Sequence, residues 1–211
     1  ACFGFDSIVG NYASPETPGS AYVLLHHVFG EIDGEKGAWG HAVGGMGSIT
    51  QLMSSVCEEK GVEISTNAAV EKVLIKDNKA KGVMLEDGTQ IFADKVISNL
   101  NPKLLFKKLV ADNDVDQEYR RKILNYKCGS GTFRMNVALS ELPNFNCLPG
   151  KNISEHHKSG IVIAPSLNYM DQAFTDAKQY GWSKKPIVEM LIPSTVDSTL
   201  APKGKHVASL F

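Results

Sequence analysis

Residues 69–92, AVEKVLIKDNKAKGVMLEDGTQIF, contain three short apolar segments in which hydrophobic and polar residues alternate. Asp77-Asn78 ends the first segment, and Asp87-Gly88 separates the second from the third. An Asp-Gly pair between two alternating segments is one of the strongest local signals for a β-hairpin. We therefore predict a three-stranded antiparallel meander over this part of the chain.

The segments on either side of the meander mix helical and strand patterns. Apolar residues recur with helical spacing in Ala21–Phe29, and again from Ser48 to Lys60. Helices are also predicted from Pro102 to about Tyr126. Two short strands are expected beside the meander, at Val62–Ser65 and Lys95–Asn99. The remainder is predicted to contain strands at Gly131–Leu139, Gly160–Ala164, Pro186–Ile192 and His206–Phe211, a helix at Asp171–Tyr180 and a loop at Leu142–Lys158. This mixture predicts an α+β fold.

Composition narrows the function classes. The chain has 22 Lys and Arg against 23 Asp and Glu, a net charge of −1, and no basic stripe, which argues against a nucleic-acid partner. Its four cysteines lack metal-ligand spacing, so we expect reduced, mostly buried thiols. No apolar run is long enough to span a bilayer, and the first ten residues lack a signal-peptide pattern. We therefore expect no transmembrane segment and a cytoplasmic location.

The turn Gly44-Gly45-Met46-Gly47 precedes a predicted helix, and two interpretations of it remain open. It is either a tight structural turn or a ligand-facing loop that presents backbone N–H groups at a helix N-terminus. The pairs His26-His27 and His156-His157 are interpreted as structural or surface residues, the second pair in a polar loop. Trp39, Trp182 and Phe145 are interpreted as packing or pocket-wall residues.

A catalytic set of side chains is not evident from the spacing. Gly129-Ser130-Gly131 does not have the spacing of a G-x-S-x-G nucleophile elbow, so a hydrolase is disfavoured unless a nucleophile and a base meet in the fold. A chain with strong core signals and no such set suits a flavoenzyme, in which the cofactor carries the chemistry. It equally suits a stand-alone α+β binding or interaction module without catalytic activity.

Several motifs carry a resemblance to a known group of enzymes. They are Ala13–Tyr22, Gly37–Gly40, Gly44–Gly47 and Val96–Pro102, together with the order of elements between Lys60 and Asn99. These motifs resemble the phytoene dehydrogenase-related FAD-dependent oxidoreductases, of the pyridine nucleotide-disulphide oxidoreductase domain-containing protein 2 type. The resemblance is strong up to about Leu139 and weaker beyond Leu142. It implies a fragment of an α/β FAD/NAD(P)-binding, Rossmann-like fold, with the meander and part of a mixed-sheet substrate domain.

The resemblance also implies roles for particular residues. Val70 would meet the adenine of FAD through backbone groups, and Ser98 and Asn99 would lie close to the cofactor. The turn formed by Gly44, Gly45, Met46 and Gly47 would border the substrate space, as would the strand Gly131–Leu139. No catalytic side chain and no metal ligand is implied. The parent enzyme would act on a small-molecule substrate, apolar or amine-like.

The resemblance further implies a division of the chain. Residues 1–60 would form a helical, Gly-rich segment on the substrate side, 61–102 part of the FAD-binding domain, and 103–211 a truncated substrate domain. The pyrophosphate-binding G-x-G-x-x-G and the flavin-covering segment of the family are not among the 211 residues. We therefore expect an internal fragment that is inactive by itself and does not bind FAD alone. The sequence carries no signal for an oligomeric state.

Overall fold

The predicted meander is present in the computed structural model, which describes residues 2–211. Strands β3 (Val70–Lys76), β4 (Lys79–Leu85) and β5 (Gln90–Phe92) form a three-stranded antiparallel sheet. Asp77 and Asn78 both have positive φ angles, 52° and 57°, as a two-residue hairpin turn with the twist of a β-ribbon requires. The local turn chemistry thus sets the register of this sheet.

Gly82 in β4 is required by the close approach of β5. A Cβ atom at this position would collide with the backbone carbonyl group of Ile91, the cross-strand partner of Val83. Only glycine therefore lets β5 pair with β4 at this point.

The segment that follows the meander is helical. It contains α4 (Pro102–Leu104), which continues as a π-helical turn (Leu105–Leu109), a 3₁₀ turn (Asp112–Asp114) and α5 (Gln117–Leu124). The Asn101 side chain accepts a hydrogen bond from Lys103 N at 2.9 Å and caps the first helix, and Asp116 caps the second in the same manner. The helices predicted between Pro102 and Tyr126 are thus confirmed.

The two short strands predicted beside the meander were wrong. Neither Val62–Ser65 nor Lys95–Asn99 has strand structure. A strand needs a neighbour to pair its backbone groups, and within residues 2–211 neither segment has one. Ile97, the central apolar residue of the second segment, is 93% exposed.

A second sheet has four strands, β6 (Met135–Leu139), β7 (Ile161–Ile163), β8 (Val188–Leu191) and β9 (His206–Leu210), in the order β6-β9-β8-β7. The predicted final strand is present as β9, which lies inside the sheet and pairs with β6 and β8. All three pairings are antiparallel. The mixed character expected of this sheet is therefore not present among the described residues.

Helices pack beside this four-stranded sheet. Helix α7 (Leu167–Tyr180) is capped by Ser166 at its start and ends at Gly181, whose φ angle is 82°. Helix α1 (Cys2–Asp6) contacts it through a buried cluster formed by Phe5, Ile8, Ala164 and Met170. Burial of these apolar side chains supplies the core of this part of the chain.

The N-terminal part contains α2 (Ala21–Val28) and α3 (Met46–Glu59), both as predicted. Between them lies a short hairpin that was not predicted, formed by β1 (Glu31–Ile32) and β2 (Glu35–Lys36). Asp33-Gly34 forms its turn, with φ angles of 51° and 86°. The predicted loop Leu142–Lys158 also contains a helical turn, α6 (Glu155–Lys158), because Ser154 and His157 form a capping box.

The chain divides into two compact units. One comprises the N-terminal part up to Val56 together with Gly129–Phe211, and the other comprises Cys57–Cys128. Both contain helices and antiparallel strands, which confirms the α+β class. The predicted assignment of residues to cofactor and substrate domains is a different division and stays a prediction. Cys128 and Cys147 are exposed and Cys57 is half-buried, so the expectation of mostly buried thiols was wrong for these three.

Candidate functional site

The Gly-rich turn before α3 has a defined backbone conformation. Gly44 and Gly45 have φ angles of 84° and 80°, in the left-handed region that favours glycine. Gly45 donates its N–H to Ala42 O at 2.8 Å, and Ser48 Oγ donates to Gly45 O at 2.7 Å. The two consecutive left-handed residues turn the chain into the first residues of α3, Met46 and Gly47.

A buried carboxylate anchors this turn. Gly44 donates its N–H to Oδ2 of Asp197 at 2.8 Å, and Nε2 of His41 lies 3.4 Å from the same oxygen. The N–H and hydroxyl of Thr199 donate to Oδ1 at 2.9 and 2.6 Å. Both carboxylate oxygens of the buried Asp197 thus have partners in this unit.

These hydrogen bonds stabilise the charged form of Asp197. The Thr199 hydroxyl and N–H, followed by the Gly44 N–H and His41, lower the pKa of Asp197 from 3.8 to about 2. The site therefore carries a negative charge at neutral pH. The negative charge of Asp197 disfavours binding of an anion at the Gly44 N–H. This N–H group also already donates its hydrogen bond to Asp197.

Two backbone N–H groups of the turn have partners within the protein. The N–H groups of Gly44 and Gly45 are used within the protein, as in a tight structural turn. The apolar side chain next in sequence, Met46, is 75% exposed and lies on the outer surface of the turn. A role for Gly44–Gly47 at the substrate side remains a prediction, and it would depend on this exposed apolar surface.

Sequence reasoning missed the anchor of the turn. Asp197 lies 153 residues from Gly44, and no local pattern connects them. The available signal was Asp197-Ser198-Thr199, in which an Asp side chain accepts from the N–H two residues later. That signal predicts a local turn but not its distant partner.

The predicted cofactor-side residues lie in the unit Cys57–Cys128, on two segments. Val70 is the half-buried first residue of β3 and pairs with Leu85. The register shifts between Val70 and Lys72, so the intervening Glu71 is a bulged residue without a ladder partner. Ser98 and Asn99 are exposed, and Ser98 Oγ accepts from Leu100 N at 3.3 Å.

The bulge at the start of β3 is compatible with a nucleotide contact through the backbone. The bulge frees the backbone groups of Glu71, next to Val70, from the strand ladder, so they can be offered to a ligand. This is the form of contact that the family resemblance implies for Val70. The roles of Val70, Ser98 and Asn99 stay predictions.

The histidine pairs have structural contacts. His27 hydrogen-bonds through Nδ1 to Val23 O at 2.7 Å, and its ring stacks on Trp39. His157 was predicted to lie in a polar loop, yet it is fully buried, and both of its ring nitrogens have partners: Nδ1 accepts from Ser154 N, and Nε2 donates to Pro143 O. No group of three or more potential metal ligands occurs among residues 2–211.

The side chains of Ser194 and His206 meet in the fold. Ser194 Oγ lies 3.3 Å from Nδ1 of His206 and accepts the N–H of Val207 at 3.0 Å. The serine thus joins the 3₁₀ turn Pro193–Thr195 to the beginning of β9. One of the two lone pairs of this hydroxyl accepts a backbone N–H, so the serine closes a turn, and its contact with His206 is the contact on which the hydrolase alternative would depend.

Comparisons with known proteins identify the class of protein. The family described as "Flavin containing amine oxidoreductase" matches residues 3–132, which is more than half of the chain. The chain therefore belongs to this family of flavin-dependent oxidoreductases. This confirms the predicted oxidoreductase class, whereas the alternative of a stand-alone binding module is not favoured.

Individual relatives narrow the resemblance further. The chain is 38% identical, over 100% of its length, to "Pyridine nucleotide-disulfide oxidoreductase domain-containing protein 2" of Mus musculus. It is 29% identical over 97% of its length to "Prolycopene isomerase 2, chloroplastic" of an Oncidium hybrid cultivar, and 25% identical over 96% to "Phytoene desaturase" of Cercospora nicotianae. The resemblance to the phytoene dehydrogenase-related group is thus confirmed.

The chain corresponds to part of these relatives. It spans 37% of the length of the mouse protein, 31% of the isomerase and 30% of the desaturase. The expectation that these residues form part of a longer flavoenzyme agrees with this coverage. No helix within residues 2–211 combines the length and the apolar character needed to cross a membrane.

Proposed function

We propose that the full-length protein containing these residues is an FAD-dependent oxidoreductase of the dehydrogenase or desaturase type. The observation that carries this proposal is the family match over residues 3–132, extended by 38% identity to the mouse relative over the whole chain. When bound, FAD supplies the redox chemistry, and the protein supplies binding and orientation. Different segments of the described chain are assigned to cofactor binding and to substrate binding.

The cofactor contribution is assigned to the meander unit. Val70 at the bulge of β3 offers backbone groups to the adenine, and Ser98 and Asn99 present polar side chains towards the cofactor. The bulged register after Val70 and the exposure of the other two residues support this assignment. In the proposed division, 61–102 belong to the FAD-binding domain.

The substrate contribution is assigned to residues outside 61–102. Gly44–Gly47 and the segment Gly131–Leu139, which contains β6, border the substrate space, and in the proposed division 1–60 and 103–211 lie on the substrate side. Met46, Phe133 and Met135 are exposed apolar side chains at these positions, which supports an apolar substrate. Two relatives are named for phytoene and prolycopene, which are apolar hydrocarbons. A small-molecule substrate and a cytoplasmic location complete the proposal.

The cofactor part is tested by FAD binding to the full-length apoprotein. Because the meander is assigned to the adenine, FAD should bind much more tightly than FMN, which lacks adenine. Ser98→Ala and Asn99→Ala should weaken FAD binding several-fold, while the control Ser65→Ala, an exposed serine in the same unit, should not. Equal affinity for FAD and FMN, or equal effects of Ser98→Ala and the control, would contradict the assignment.

The substrate part is tested by anaerobic reduction of the bound flavin. Apolar substrates should bleach the flavin of the full-length enzyme, and Met46→Gln should raise the substrate concentration needed. Met53→Gln is the matched control, because Met53 is also an exposed methionine of α3 but is not assigned to the substrate side. If both variants change the reduction equally, the role of Met46 is refuted.

A further inference from the structure

A pocket separate from the Gly44–Gly47 turn lies where α2 leads into the β1–β2 hairpin. It has a volume of about 420 Å³, within the usual range of small-molecule sites. Aromatic rings and one carboxylate dominate its lining, which includes His27, Phe29, Glu31 and Trp39. All of these residues belong to one structural unit. The pocket residues fall within 1–60, on the substrate side of the proposed division, but none of them is among the flavin- or substrate-contacting residues named above.

Glycines build the walls of this pocket. Gly37 N donates to Gly30 O at 2.5 Å and joins the two sides of the hairpin. A Cβ atom at Gly40 would lie 2.7 Å from Cδ1 of Ile32, closer than Cβ contacts are found in proteins. Gly40 therefore allows the segment carrying Trp39 to pack against β1.

The Trp39 indole is held in position but remains open to a ligand. The rings of His27 and Trp39 are parallel to within 6°, with centroids 5.7 Å apart. His27 is itself fixed by its hydrogen bond to Val23 O. Trp39 is nevertheless 75% exposed, so the stack orients the indole without covering it.

The charge and polarity of the lining favour a cation. The face of an aromatic ring attracts a cation, and tryptophan does so most strongly. Glu31 adds a carboxylate to the lining, which contains no lysine or arginine. Lys36 lies opposite Glu31 in the hairpin register, but the two described side chains do not form an ion pair within 4.0 Å. The carboxylate is therefore available to a ligand.

We propose that this pocket binds a quaternary ammonium group. Such a cation has no N–H to satisfy, and therefore suits a lining of ring faces and one carboxylate better than a primary ammonium does. The proposal concerns binding only and involves no bond change. It does not depend on the flavin chemistry, and its test contains no flavin, so the two proposals can fail separately.

The test uses the fluorescence of Trp39. Trp182→Phe leaves Trp39 as the single tryptophan of the chain, because only two are present. Choline is titrated against this variant and compared with 3,3-dimethylbutan-1-ol, its neutral isostere. Choline should change the emission saturably and bind about tenfold more tightly than the neutral alcohol. Saturation-transfer NMR of the choline methyl protons on the unsubstituted chain provides a second readout that does not require the Trp182 variant.

Two further variants test the role of the carboxylate. Glu31→Gln should weaken choline binding several-fold and leave binding of the neutral alcohol unchanged. Glu35→Gln on the adjacent strand is the matched control, since Glu35 does not line the pocket, and it should have no effect. The proposal is overturned if choline fails to bind in both readouts or if the alcohol binds equally well. Equal effects of Glu31→Gln and Glu35→Gln would also overturn it.

Discussion

Alanine substitutions at two neighbouring glycines of the Gly-rich turn, Gly45 and Gly47, should change stability in opposite directions. Gly45 has a left-handed backbone, and a Cβ atom there would lie 3.1 Å from Cδ2 of Leu200. Gly47 is a residue of α3, and a Cβ atom there would meet nothing within 4 Å. Gly45→Ala should therefore destabilise the unit that contains this turn, and Gly47→Ala should stabilise it.

The expected magnitudes follow from backbone energetics. A left-handed alanine costs about 1–2 kcal/mol, offset by up to about 1 kcal/mol of reduced chain entropy in the unfolded state. The tight approach to Leu200 adds to the cost, so a net loss of about 1 kcal/mol is expected for Gly45→Ala. Replacing a helical glycine by alanine gains about 0.5–1 kcal/mol. The two variants should thus differ by about 2 kcal/mol in the free energy of unfolding.

Urea unfolding followed by tryptophan fluorescence measures this difference. Trp39 and Trp182, the two tryptophans of the chain, both belong to the unit that contains the turn, so fluorescence reports on this unit alone. Circular dichroism before unfolding confirms that each variant is folded. If Gly45→Ala leaves the midpoint unchanged, or Gly47→Ala lowers it, the described conformation of the turn is refuted.

Three further predictions concern other positions. The pKa of Asp197 is about 2 in the folded protein, against 3.8 for an ordinary aspartate, so its stabilising contribution is present above about pH 4 and is lost as the pH falls towards 2. Asp197→Asn should therefore remove this part of the pH dependence of the free energy of unfolding. An acid unfolding profile that the substitution leaves unaltered would refute this prediction. His157→Ala should lower the free energy of unfolding by about 3 kcal/mol, because the ring is 0% exposed and its loss leaves Ser154 N–H and Pro143 O without partners. The control His26→Ala, at an exposed position, should change it by less than about 0.5 kcal/mol. Similar urea midpoints for the two variants would argue against the buried contacts. Gly82→Ala should separate β5 from β4, lower the free energy of unfolding by about 1–3 kcal/mol and abolish hydrogen-exchange protection of Gln90–Phe92. Gly129→Ala is the control, because a Cβ atom at Gly129 would meet nothing within 4 Å. Retained protection of β5 in Gly82→Ala would contradict the described strand register.

Local turn chemistry explains which parts of the fold were predictable. Asp77-Asn78 and Asp87-Gly88 each determine the backbone within a few residues, so the three strands of the meander were located correctly. Helix α3 was also located, from the helical spacing of its apolar residues and the glycine that follows it. In both cases the signal and its consequence lie within one segment.

Distant partners explain what was missed. The pairing of Gly44 with Asp197 and the burial of His157 against Pro143 depend on contacts that no local pattern encodes. Lys95–Asn99 has the composition of a buried strand but no partner within the described residues. The hairpin at Asp33-Gly34 was overlooked for another reason, because its strands have only two residues each and show no alternation.

The measurement that tests the central claim most directly is the flavin content of two purified proteins. One is the product of the full reading frame that contains these residues, and the other is the 211-residue chain alone. The full-length protein should show the visible absorbance of bound FAD at about one flavin per chain. The 211-residue chain should be colourless, since most of the cofactor contacts are predicted to lie outside it. A full-length protein that binds no flavin, even after reconstitution with FAD, would contradict the assignment to an FAD-dependent oxidoreductase.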